Sequence, residues 1–161
     1  KQAMDSIQEA KRKLSVVRQE NLKMIWGIEL EVVEEFFNNN VREHSRPSEE
    51  ESFDALLRTA KDSIKHGDKE FKNQVADLRG KNYEILWRQD WFALEVFKSY
   101  ASKSELFCDA ARFDELVLIG KEAMKADDIS RLKEIVGQME MIKIYSYNES
   151  DLLEAANIIR G

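Results

Sequence analysis

Apolar residues recur early in the chain at intervals of three, four and seven: Ile7, Leu14, Val17, Met24, Ile28, Val32 and Phe36. An α-helix turns once in ~3.6 residues, so this spacing draws one apolar stripe down one face. The pattern predicts a helix from about Asp5 to Arg42, a rod roughly 55 Å long at ~1.5 Å per residue. Gly27 inside it costs about 1 kcal/mol against alanine and marks a bend or a close contact. Asn38, Asn39 and Asn40 weaken the end, and Ser45-Arg46-Pro47 stops it, because the residue before proline avoids the α region.

The next segments follow the same logic. Ser48-Glu49-Glu50-Glu51 reads as a capping box, with Ser48 accepting from first-turn amides and Glu51 reaching back. A second helix then runs to about Lys65, burying Phe53, Leu56, Leu57, Ala60 and Ile64. Gly67 suits the left-handed residue that closes a helix, and Asp68 suits the cap of the next. A third rod is expected from Lys69 to about Ala101. Ile85, Leu86, Trp87, Trp91, Phe92, Leu94, Val96 and Phe97 make its middle apolar on more than one side. Helices from Asp109 to Lys125 and from Ile129 to about Ile144 follow. Tyr145-Ser146-Tyr147 breaks the pattern, and Asn148 caps a last short helix over Leu152, Leu153, Ala156 and Ile159 that ends at Gly161.

The chain also repeats itself. Arg18, Asn21, Trp26, Glu34 and Phe36 recur as Arg79, Asn82, Trp87, Glu95 and Phe97, 61 positions later. Phe53-Asp54, Leu56, Lys61, Lys65 and Asp68 recur as Phe113-Asp114, Leu116, Lys121, Lys125 and Asp128, 60 positions later. A repeat of this length signals a doubled supersecondary unit. The expected fold is all-α: two tandem, overlapping antiparallel three-helix bundles sharing a long central helix. The units are expected at 1–72 and 73–133, with a truncated third unit and a cap helix at 134–161. Trp26 and Trp87 are expected at equivalent core positions.

Composition narrows the function without naming it. The formal charge of −6 disfavours phosphate backbones and anionic membrane surfaces. No apolar run approaches the ~18 residues that span a bilayer. One cysteine, Cys108, makes no internal disulfide and fits a reducing, cytoplasmic setting. The start, Lys1-Gln2-Ala3-Met4, reads as a cut from a longer chain.

Chemistry is sparse. The two histidines, His44 and His66, lie at predicted helix ends and lack the partner spacing of a carboxylate-bridged or zinc site. Cys108 has no partner histidine, and Glu29, Glu31, Glu34 and Glu35 read as a solvated helix face. Gly67-Asp68 lacks the glycines and lysine of a phosphate loop. No catalytic, cofactor or metal residues are assigned, and an enzyme is not expected. The aromatic run over Trp91, Phe92, Tyr100 and Phe107 is either the core where two bundles meet or a groove for an apolar segment of a partner protein. Trp91 answers to Leu30 and Phe92 to Glu31, so the second copy is more apolar where the first is charged.

The stretch from Arg46 to Arg79 resembles the C-terminal helical lid of Hsp70-type (DnaK-type) chaperones. The resemblance rests on Ser48-Glu49-Glu50-Glu51, the turn Lys65-His66-Gly67-Asp68, and Phe71, Val75 and Leu78. The second copy from Leu106 to Met139 is similar to the same element through Asp109-Ala110, Phe113, Leu116, Lys125 to Asp128 and the run Leu132 to Met139. The resemblance implies a non-catalytic lid or tail that assists polypeptide binding, with ATP relevant only to an ATPase domain of the parent chain. This chain departs from that pattern by carrying the bundle twice. The alternative reading is a helical-repeat scaffold for protein–protein interaction. A homodimer formed by exchange of the first helix is a further expectation.

Overall fold

In the computed structural model, which describes residues 2–144, the first 35-residue helix sets the scale for the rest. Helix α1 spans Gln2–Phe36 and runs on through a π turn, Phe37–Val41, and a 3₁₀ turn, Arg42–His44. Helix α2 spans Pro47–His66, α3 Phe71–Trp87, α4 Asp90–Ala101, α5 Ala110–Lys125 and α6 Ile129–Met141. The fold is all-α. An isolated bridge between Phe107 and Lys143 is its sole extended pairing among the described residues. The helix anticipated beyond Asn148 lies outside them.

Contacts divide the chain between Asn82 and Tyr83, ten residues later than the expected boundary. In the first unit α1 and α2 run antiparallel. Lys23 Nζ donates to the Lys65 carbonyl at 2.9 Å, Lys61 meets Glu34 at 3.2 Å, and the Phe37 and Phe53 rings stack 3.8 Å apart. The first part of α3 returns alongside α1. Trp26 stacks on Phe71 at 4.9 Å, and Arg79 reaches Glu29 at 2.8 Å. Lys81 donates to Ser52 Oγ at 2.8 Å, so α3 runs antiparallel to α2. The core is Trp26, Leu30, Val33, Phe36, Phe37 and Val41 against Phe53, Leu57, Ala60, Phe71, Val75 and Leu78.

The second unit repeats this plan with α4, α5 and α6. Tyr100 bonds Glu140 and Lys133 meets Asp90 at 3.4 Å, so α4 and α6 run in the same direction. Arg112 donates to Gln138 across the α5–α6 hairpin at 2.7 Å. Helix α6 therefore completes the second unit and does not open a third. Its core is Phe92, Val96, Phe97, Phe113, Leu116, Leu132, Ile135, Val136 and Met139.

Local chemistry explains most boundaries. Pro47 occupies the first turn of α2, where its missing N–H costs nothing, and Glu49 accepts from the Arg46 amide at 3.0 Å. The anticipated box at Ser48 and Glu51 is thus shifted by two residues. Gly67 closes α2 at φ 63°, and Asp68 accepts from the Glu70 amide. Asp109 and Asp128 cap α5 and α6 by accepting from Arg112 and Arg131 amides. Gly27 lies inside the unbroken helix α1 and faces no close neighbour. The irregularity comes instead at Phe37–Val41, where a wider π turn brings Phe36, Phe37 and Val41 inward together.

Two expectations are corrected. The rod from Lys69 to Ala101 is broken: α3 stops at Trp87, and Gln89 is extended at φ −84° and ψ 122°. The stripe Ile7, Leu14, Val17, Met24, Ile28 and Val32 does not face the core; each is between 44% and 65% exposed. Burial on α1 begins only at Trp26.

Gly120 offers a direct check on the second core. A Cβ there would fall within the Phe97 ring, whereas one on Gly137 meets nothing within 4 Å. Gly120→Ala is expected to lower stability by about 1–3 kcal/mol in urea unfolding. Gly137→Ala is expected to raise it by up to about 1 kcal/mol. Equal effects would contradict this packing.

Candidate functional site

The break between α3 and α4 builds an aromatic cluster that a straight helix cannot make. At ~100° per residue, Tyr83 and Phe92 would lie on opposite faces of a continuous helix, about 13 Å apart along its axis. With Gln89 extended, their ring centroids come within 5.9 Å, edge to face. Trp87 meets Phe92 at 6.3 Å and Trp91 meets it at 5.8 Å, both nearly perpendicular. Tyr83 stacks on Trp87 at 5.7 Å. Phe92 is fully buried at the centre, while Tyr83 and Trp91 are 39% and 38% exposed. Such offset and perpendicular pairs suit the ring quadrupoles, at about 0.5–1.5 kcal/mol each beyond the area buried.

The four aromatic residues singled out by sequence therefore divide. Trp91 presents surface. Phe92, Tyr100 and Phe107 lie in the core, and of these Phe92 alone touches Trp91. Tyr100 packs on Phe107 at 5.6 Å, and Phe107 stacks on Phe113 at 4.8 Å. The Tyr100 hydroxyl bonds Glu140, and Lys143 Nζ sits 5.0 Å over the Tyr100 ring. The Cys108 amide donates to the Ile142 carbonyl, and the Ile144 amide donates to the Leu106 carbonyl. These contacts pin the α4–α5 loop to the end of α6.

Trp87 is only partly buried, unlike Trp26 at 3% exposed. The two tryptophans thus occupy different environments despite their shared place in the repeat. The neighbouring pair also reverses: Leu30 is buried beside exposed Glu31, whereas Trp91 is exposed beside buried Phe92. Sequence reasoning missed Tyr83. The available signal was its exposed counterpart Leu22, since an aromatic replaces an aliphatic there as at Trp91.

The groups with reactive potential stay apart from this face. His44 sits 3.2 Å from Glu43, His66 Nδ1 lies 2.8 Å from the Asp62 carbonyl, and Cys108 is exposed at the loop before α5. Among the described residues, no three His, Cys, Asp or Glu side chains gather as metal ligands would. The described helices include none long and apolar enough to cross a membrane. What the cluster can offer is partly exposed aromatic area from Tyr83 and Trp91, a composition favoured at protein contacts. No protein-family model, curated protein or solved structure matches this chain.

The cluster separates fold from surface in a testable way. Phe92→Ala removes the central ring and is expected to cost about 3–5 kcal/mol in chemical denaturation. Trp91→Ala removes one edge contact and is expected to cost about 0.5–1.5 kcal/mol. A Trp91 effect as large as that of Phe92 would show that Trp91 holds the core instead.

Proposed function

We propose that this chain is a non-catalytic, polypeptide-binding helical element, akin to the lid or tail of an Hsp70-like chaperone. The observation that carries the reading is the surface formed by Tyr83 and Trp91 over buried Phe92. A partly exposed tryptophan seated on a rigid ring loses little side-chain freedom on binding, so its apolar area converts efficiently into affinity. The resemblance of the Lys65-to-Asp68 turn and of the Leu106-to-Met139 unit to that lid supports the chaperone setting. In this role the chain does no bond chemistry. It holds an apolar segment of a client and leaves any nucleotide work to an ATPase domain of the parent protein. A cytoplasmic site of action accords with a lone exposed Cys108.

The runner-up is a scaffold that binds one folded partner through the same face, favoured by the narrow extent of the exposed aromatic area. The two readings differ in what they bind. A permanently unfolded, carboxymethylated polypeptide carrying a fluorophore is expected to bind with rising anisotropy. Trp91→Ala is expected to weaken that binding about tenfold, with unchanged circular dichroism. No binding of the unfolded polypeptide by the intact chain would contradict the chaperone reading. Equal binding by Trp91→Ala would contradict the assignment of this face.

A further inference from the structure

The exposed stripe on α1 has a covered twin inside the same molecule. Leu14, Val17, Asn21, Met24 and Ile25 correspond, 61 positions later, to Val75, Leu78, Asn82, Ile85 and Leu86. The later set is 3%, 0%, 1%, 3% and 1% exposed. In the earlier set Leu14, Val17, Met24 and Ile25 are 50–65% exposed. The same pattern is thus written twice, and among the described residues only its second copy is buried. Helix α2 runs antiparallel to the start of α3, as the Lys81–Ser52 bond shows.

We propose that the α1 face is covered by α1 of a second copy of this chain, packed antiparallel. The first observation is the heptad. Ile7, Leu14, Asn21 and Ile28 fall at one core position, and Ala10, Val17 and Met24 at the other. A seven-residue apolar repeat is the seam of a two-helix coiled coil. One antiparallel register layers Leu14 on Val17, Ile7 on Met24 and Asn21 on the small Ala10.

The flanking charges choose the direction. In the antiparallel pair Lys13 of one copy lies beside Glu20 of the other, twice by symmetry. On the other flank Met4 meets Ile25, and Lys11 opposes Arg18. A parallel pair sets Lys13 against Arg18 and Glu20 against Ile25, with no opposite-charge contact to offset them. Area is adequate as well. Met4, Ile7, Leu14, Val17, Met24, Ile25 and Ile28 are each half or more exposed. Together they offer on the order of 700 Å² per copy, close to the ~800 Å² per partner of a standard interface. Nothing is exchanged in this arrangement, because Trp26 to Phe36 stays in its own bundle.

Sedimentation equilibrium at about 100 µM is expected to give twice the 18.8 kDa of one chain. Val17→Glu is expected to weaken association at least tenfold with unchanged helicity, since Val17 touches no core. Leu118→Glu, at an exposed apolar site on α5, is expected to leave it unchanged. A spin label at Ser6→Cys, in a Cys108→Ser background, is expected to report a separation of about 30 Å. A mass of one chain at that concentration overturns the proposal and leaves the face to a different segment or partner. A dimer indifferent to Val17→Glu, or a label separation under about 20 Å, overturns the antiparallel α1 pair.

Discussion

Phe92 can sit at the centre of four rings only because the helix before it stops. Aromatic side chains five and nine positions apart cannot converge on one continuous helix, whose faces are fixed by its pitch. Extending the backbone at Gln89 gives up a turn of helical hydrogen bonding and gains the convergence of Tyr83, Trp87 and Trp91 on Phe92. Helix α4 then starts afresh at Asp90. Val96, Phe97 and Tyr100 then face α5 and α6, and the second three-helix unit closes around them. The aromatic surface and the second core are therefore two faces of one break.

The first copy shows what happens without it. Helix α1 stays continuous through the equivalent place, where Glu31 stands instead of Phe92 and remains exposed. Leu30, Val33 and Phe36 then make a bundle with α2 and the start of α3, and no aromatic surface forms beside it. The two copies of one pattern thus differ where Leu22, Leu30 and Glu31 give way to Tyr83, Trp91 and Phe92, and in the backbone geometry that goes with those rings. That difference is where the proposed binding role finds support, since the bundle residues that the two copies share would serve any helical protein.

Much of this was legible in the residues. Pro47 and Gly67 marked helix ends through elementary turn and cap chemistry, and α2 runs between them. The repeat predicted two similar three-helix units. Three features were not legible. The break at Arg88-Gln89 carries no proline or glycine, because tertiary ring packing imposes it. The inward face of α1 was not legible, because the heptad from Ile7 to Ile28 is longer than the equally regular set Trp26, Leu30, Val33 and Phe37 that the bundle uses. Periodicity shows that a face is apolar; it does not show which partner covers it. Finally, Trp91 and Phe92 are adjacent and both aromatic, so only the direction of α4 decides which one is surface.

The measurement that tests this account most directly is a through-space proton contact between the Tyr83 and Phe92 rings in an NMR spectrum with aromatic assignments. The account predicts a clear cross-peak between them, together with extended-backbone carbon shifts at Gln89. Helical shifts running unbroken from Phe71 to Ala101, with no Tyr83–Phe92 contact, would contradict it.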